Sequence, residues 1–186
     1  MRVQELIDEY KYTFIHPFDD YSVIAGQGSI ACELESQLQE PLDKLLIPVG
    51  GGGLISGISF FAKTNGGIAS TIIGAEPETA RDATDSFYSK THVTDYKPMT
   101  IADGLRATLG VKNFEIILKN VDEFITATES EIIEAMKIIW SRLKVIVEPS
   151  AAVPLAVILN KPEYFKNERV GVILSGGNLD LEDLPW

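Results

Sequence analysis

Four consecutive glycines, Gly50-Gly51-Gly52-Gly53, follow the apolar run Leu45-Leu46-Ile47-Pro48-Val49 and lead into an apolar-periodic segment from Leu54 to Lys63. The order reads as strand, tight turn and helix start. Glycine brings no Cβ to hold a ligand off the backbone and tolerates φ > 0, so successive N–H groups can converge on one small anion at the dipole-positive end of a helix. A phosphate is the natural guest. A nucleoside triphosphate loop needs Lys and then Ser or Thr after its last glycine; Gly52 and Gly57 have that spacing, but Ile58 stands where Lys belongs. A dinucleotide fingerprint fails at its third glycine, where Ser56 or Ile55 falls, yet Glu76 closes the next apolar run roughly where an acidic ribose ligand is expected. A nucleotide-binding module therefore stays open as a second reading. A plain connector is the third, and four glycines in a row are entropically costly for one.

Other groups carry chemistry of their own. Ser175 ends an apolar run and precedes Gly176-Gly177; its hydroxyl could meet an aromatic nitrogen of a bound cofactor, or simply cap the turn. Glu76, Ala80 and Asp82 lie together at a strand end and helix start. Two carboxylates and a backbone carbonyl suit a hard cation such as Mg²⁺ or Ca²⁺, although spacing alone favours an acidic first turn complementing the helix dipole. His16, before Pro17, has no matched base or nucleophile nearby and reads as structural. His92 reads as solvated in a polar loop. The single cysteine, Cys32, reads as a small buried residue on a helix.

The elements that must position these groups follow from periodicity. Val3, Leu6, Ile7 and Tyr10 give a short amphipathic helix, and Tyr12 to Ile15 a short strand stopped at His16-Pro17. A helix interrupted by Gly26 and Gly28 covers about 23–38. Leu45 to Val49 and Thr71 to Ala75 are strands flanking the helix from Leu54, a βαβ unit that implies a parallel sheet. A polar helix over 79–90, a short helix over 114–118 and a strand over 123–127 follow. Thr128 stands three residues before Glu131, a capping-box spacing, and Ile132, Met136, Ile139, Trp140 and Leu143 form one apolar stripe. Pro149 opens the next helix, which contains Pro154. Val170 to Leu174 reads as a buried strand. Ligands of open parallel sheets sit beyond the carboxyl ends of the strands, which puts the turn at Ser175 on the same rim as Gly50 to Gly53.

The chain has 186 residues, 45% of them hydrophobic, and a formal charge of -11. That charge, with no Lys or Arg cluster, argues against nucleic acid. No stretch approaches a membrane span, and the amphipathic, acidic first residues are unlike a signal peptide. One cysteine precludes an intrachain disulfide and fits a reducing compartment, the cytoplasm.

Taken together, Ile15-His16-Pro17-Phe18-Asp19-Asp20, Val23-Ile24-Ala25-Gly26-Gln27-Gly28, Pro48 to Leu54, Ile101-Ala102-Asp103-Gly104, Glu148-Pro149-Ser150-Ala151 and Ser175-Gly176-Gly177-Asn178 resemble the serine racemase and serine/threonine dehydratase family. These are pyridoxal-phosphate enzymes of the tryptophan-synthase-β fold, type II. The resemblance implies a three-layer α/β fold, a mostly parallel twisted sheet with helices on both faces. Residues 1–12 would be the remnant of the last helix of the small domain, and 13–186 the C-terminal part of the large cofactor-binding domain. It implies that Gly50, Gly51, Gly52, Gly53 and Leu54 hold the cofactor phosphate through backbone N–H groups, that Gly104 belongs to the cofactor site, and that Ser175 faces the pyridine nitrogen. It also implies that Glu76, the Ala80 carbonyl and Asp82 bind Mg²⁺ or Ca²⁺.

In that family the lysine that attaches to the cofactor sits in an N-terminal segment with no counterpart here. Lys63 is no substitute, being about ten residues and ~15 Å along its helix from the glycines. The implied activity is β-elimination of ammonia from, or racemisation of, serine- or threonine-like amino acids, with this chain as one half of the machinery. The alternatives are an inactive split half serving as a binding or partner subunit, and the nucleotide module. An apolar edge left open by half a sheet predicts a homo-oligomer or a complementing N-terminal half.

Overall fold

The computed structural model describes residues 2–64 and 67–186. Its sheet has four parallel strands, β1 (Leu42–Pro48), β2 (Ala69–Pro77), β3 (Glu123–Ala127) and β4 (Val170–Val172), in the order β3-β2-β1-β4. The strand period of two sorts side chains to the two faces. Leu46, Ile73, Ala75, Ile125 and Ala127 pack with helices α7 (Glu129–Ile138) and α8 (Pro149–Asn160) on one side. Leu45, Ile47, Ile72 and Phe124 pack on the other side with α3 (Ser29–Gln37), α4 (Gly53–Thr64), α5 (Asp82–Ser89) and α6 (Val111–Asn120). The three layers expected for this α/β chain are therefore present.

Several local expectations change. Residues 12–15 form no strand; Tyr12, Phe14 and Ile15 are exposed, with Tyr12 stacked on Tyr10 at the end of α1 (Arg2–Tyr10). The helix over 23–38 is two helices, α2 (Tyr21–Gln27) and α3, hinged at Gly28, and Asp20 caps the first by accepting from Ser22 N at 2.8 Å. Cys32 is exposed rather than buried, on a turn of α3 that faces away from the sheet. β1 starts three residues earlier than its apolar run, because polar Asp43 and Lys44 find partners: Asp43 accepts from Arg169 N at 2.7 Å and Lys44 pairs with Glu168 at 3.0 Å. β4 is shorter than 170–174 and only half-buried, since it is the edge strand and pairs with β1 alone.

The capping box at Thr128 and Glu131 is formed. Ile132, Met136 and Ile139 are fully buried, but the helix widens to π geometry over Ile139–Leu143, which turns Leu143 out to 60% exposure. The apolar stripe ends one turn early for that reason.

Gly57 shows what the α4 sequence must satisfy. A Cβ there would lie 2.2 Å from Ile24 O and 2.6 Å from Gly28 N, both backbone atoms of the α2–α3 junction. Its place in the glycine-rich stretch is thus explained by helix packing. Gly57→Ala is expected to lower stability by about 1–3 kcal/mol, the usual cost of overpacking, read as a reduced urea midpoint with unchanged slope; an unaltered midpoint would show that the helices separate freely.

Candidate active site

At the C-terminal ends of β1 and β4 lies a cleft of about 200 Å³. Gly50, Gly51, Gly52, Gly53 and Leu54 form one wall, and Gly104, Leu105 and Ala107 another. Glu148, Ser150 and Ser175 complete the polar lining, with Phe18 beside the glycines. Every residue expected at the phosphate and ring positions, Gly50 to Leu54, Gly104 and Ser175, thus borders one space.

The glycine wall is built by close approach. A Cβ on Gly50 would lie 2.9 Å from Gly104 O, and one on Gly51 2.4 Å from the Phe18 ring. Gly52 has φ +89°, a conformation that side chains resist. Along this wall the backbone N–H groups from Gly50 to Ile55 donate to no acceptor among the described residues. The first turn of α4 accounts for part of that run, because helix N-termini leave their N–H groups unpaired. Since Gly50 to Gly53 are buried, the rest is exceptional: buried backbone N–H groups are nearly always bonded.

The loop before α2 buttresses the wall. His16 Nδ1 accepts from Asp19 N at 2.9 Å and its ring meets Phe18 edge-on at 4.6 Å. It is therefore a satisfied structural histidine. Asp19 accepts in turn from Lys112 N at 2.9 Å, tying this loop to α6.

The other walls are clamped by the start of α8. Ser150, buried, accepts from Gly104 N at 3.1 Å through its Oγ. Glu148 accepts from Asn178 N at 3.0 Å, and its own N–H donates to Gly176 O at 3.1 Å. Burial pushes the Glu148 carboxyl above its ordinary range against the pull of the Asn178 N–H, and the charge of Asp103 adds to the rise. Ser175 is exposed on the rim and its hydroxyl makes no hydrogen bond within the described residues. Glu148, Ser150 and Phe18 were not singled out by residue type or spacing. They belong to the quoted motifs, but nothing local says that their side chains turn toward the glycines.

No lysine lines this cleft among the described residues. Lys63 sits at the far end of α4, paired with Asp122 at 2.9 Å. His92 is not simply solvated: it is half-buried, stacked on Phe114, with Nε2 2.6 Å from Leu109 O.

Glu76, Ala80 and Asp82 lie away from the cleft, at the end of β2 and the start of α5. Glu76 is 0% exposed and accepts from Ala83 N, Thr84 N and Thr84 Oγ1 at 3.2, 2.7 and 2.6 Å. It is thereby unavailable to a ribose, which removes the support for the dinucleotide reading. Burial pushes its carboxyl up to about 8, outweighing the Thr84 bonds, and the Asp82 charge adds to the rise. Asp82 accepts from Leu109 N at 2.8 Å and is likewise raised by burial. The Ala80 carbonyl accepts no hydrogen bond within the described residues. Two buried carboxylates, the charge of one felt by the other, require a proton or a cation. No group of three His, Cys, Asp or Glu side chains suited to a metal occurs among the described residues, so a cation here would rest on the acid pair and the carbonyl.

No helix is long and apolar enough to cross a membrane among the described residues. Residues 1–176 match the family model described as "Pyridoxal-phosphate dependent enzyme". Over 173 residues the chain is 47% identical to a beta-hydroxyaspartate dehydratase of Paracoccus denitrificans, covering 93% of this chain and 54% of that protein. It is 46% identical to a serine racemase of Dictyostelium discoideum, over 97% of this chain and 56% of that one. Among solved structures, the Dictyostelium serine racemase superposes with a TM-score of 0.86 at 43% identity, covering 97% of this chain and 58% of that one. A threonine deaminase from T.th. superposes at 0.88 and 36%, covering 96% and 65%. The chain spans about half the length of the curated relatives it matches. With most of its length matched by the family model and its sheet shared with these enzymes, the chain belongs to the pyridoxal-phosphate-dependent enzymes of fold type II.

Proposed function

We propose that the chain holds pyridoxal 5'-phosphate in the cleft and forms part of an enzyme that eliminates ammonia from, or racemises, a small hydroxy amino acid of the serine or threonine kind. The observation that carries the reading is the unpaired N–H run from Gly50 to Ile55 at the start of α4, buried at Gly50 to Gly53. Such groups need an acceptor, and a phosphate dianion at a helix N-terminus meets that need. Gly50 to Gly53 and Leu54 would hold the phosphate, Gly104 with Leu105 would border the cofactor, and the Ser175 hydroxyl would meet the ring nitrogen. When bound, the cofactor supplies the carbonyl that captures the substrate amine and the electron sink that loosens its α-proton. A neutral hydroxyl at Ser175 leaves the ring nitrogen less protonated than a carboxylate would. That tempers the sink and suits β-elimination.

With no lysine lining the cleft among the described residues, the reading has the proton-transfer chemistry at the α-carbon supplied by residues from outside this chain. The isolated chain is then a binding half without turnover, working in the cytoplasm in an oligomer or with a complementing N-terminal half. The open edge of β4 and the exposed Tyr10, Tyr12, Phe14 and Ile15 support that arrangement.

Titration of the chain with pyridoxal phosphate, followed by absorbance and by thermal unfolding, is expected to show saturable binding without release of pyruvate or 2-oxobutyrate. Gly51→Ala, which drives a methyl group into the Phe18 ring, is expected to weaken binding at least tenfold. Unchanged affinity in that variant would remove the glycine wall from the site.

For the acid pair we propose Mg²⁺ or Ca²⁺, held by Glu76, Asp82 and the Ala80 carbonyl. Between pH 4.5, the ordinary Glu value, and about 8, the folded chain keeps a proton on Glu76 that the unfolded chain has lost. Stability conferred by that proton is complete below this window and lost as pH rises through it. In EDTA the melting temperature is therefore expected to fall from pH 5 to pH 8, and the cation to restore more at pH 8 than at pH 5. Glu76→Gln should flatten both effects; a melting curve indifferent to either cation at every pH would leave the pair without a metal.

A further inference from the structure

Asn113, the third residue of α6, is 0% exposed. Its Nδ2 donates to Gly51 O at 2.8 Å and to Phe18 O at 3.0 Å. Its Oδ1 is the one buried side-chain nitrogen or oxygen left without a partner among the described residues. The orientation of the amide is fixed by its neighbours: turned over, it would point an oxygen at two carbonyl oxygens. A buried acceptor left unpaired is destabilising. What the amide provides in return is a hold on two carbonyls from different segments, Gly51 and Phe18.

The hold on Gly51 has a geometric consequence. Gly51 O also accepts from Gly110 N at 3.0 Å, so two donors on α6 and its N-cap fix this carbonyl toward that helix. None of the described peptide bonds is cis. In a trans peptide the C=O and the following N–H point in opposite directions, so the Gly52 N–H is turned away from α6. Gly52 borders the cleft, and Leu109 and Asn113 Cβ fill the space behind it where its own side chain would lie. The amide of Gly52 has no acceptor among the described residues.

We propose that Asn113 is a positioning residue for anion binding. By pinning the Gly51–Gly52 peptide from behind, it presents the Gly52 N–H to a phosphate in the cleft, and through Phe18 it fixes the aromatic buttress of the same wall. The proposal rests on the cleft taking a phosphorylated ligand, as inferred above, but not on which one. It concerns a residue 62 positions away in sequence from the carbonyl it holds, outside the glycine motif.

The test compares wild type with Asn113→Leu and Asn113→Asp. Dissociation constants for inorganic phosphate and pyridoxal phosphate, the urea midpoint, and the ¹H–¹⁵N shift of Gly52 on adding phosphate are measured for each. Asn113→Leu, which takes the donor from Phe18 O, is expected to lower the urea midpoint modestly and to lose about tenfold in affinity for both ligands, with the Gly52 response abolished in the folded protein. Asn113→Asp, which faces carboxylate oxygens to carbonyls, should lose more. A merely structural residue would lower the urea midpoint and leave the Gly52 response to phosphate intact in the folded protein. Affinity unchanged in Asn113→Leu, or lost only in step with the urea midpoint while Gly52 still responds, would overturn the proposal. Should Asn113→Leu not fold, Asn113→Ser, too short to reach Gly51, is read the same way. Wild type that binds inorganic phosphate but not pyridoxal phosphate would sink the cofactor reading and leave Asn113 in place; binding of neither would overturn both.

Discussion

The structure turns on a shortage of acceptors at the junction of β1 and α4. A parallel strand delivers its last carbonyls to its neighbours and the next helix consumes none of its own first N–H groups, so the junction has donors to spare. In this chain the surplus lies along the cleft, with Phe18, Leu105 and Leu109 packed against the glycines. Everything that lines the cleft either tolerates that polarity or keeps the loop in place against it. Gly50 and Gly51 permit neighbours to close in, Asn113 and Gly110 occupy the Gly51 carbonyl, and the Glu148–Ser150 turn fixes the two facing loops.

The two acidic features of the molecule respond to burial in different ways. Glu148 is only half-buried and keeps one backbone N–H as partner; burial still raises its carboxyl, and it serves to clamp the turn at Asn178. Glu76 is fully enclosed beside Asp82 and retains three donated bonds, yet desolvation still dominates its titration. The first carboxyl borders the cleft. The second lies at a separate corner of the sheet, bound into the first turn of α5, and its influence on the cleft would pass through Leu109, whose N–H Asp82 holds and which packs behind Gly52.

Much of this was legible in the sequence because the signals were local. The apolar run before Gly50, the glycines themselves and the capping box at Thr128 each state their element within a few residues, and β3 was placed at the bounds observed. The shared rim of Ser175 and the glycines followed from the parallel order alone. What escaped was decided at a distance. Cys32 is exposed because α3 turns that side away from the sheet, and Leu143 because a π turn interrupts a stripe that periodicity carried straight on. His92 is half-buried because Phe114, far along the chain, stacks on it. Asn113 gave no sign at all: an asparagine on an amphipathic helix becomes a loop support only when Gly51 and Phe18 fold back onto it.

Contacts that build the cleft join residues remote in the chain: Asp19 to Lys112, Phe18 to Asn113, Gly104 to Ser150, Glu148 to Asn178. Loop closure of that span is entropically expensive and slows folding. The glycine turn can form from neighbouring residues, but its support from α6 lies 62 residues further along the chain, and Glu148 is clamped by Asn178 across another 30. The cleft is thus finished only once segments far apart in the chain have docked on one another, whereas the strands that frame it pair with nearer neighbours.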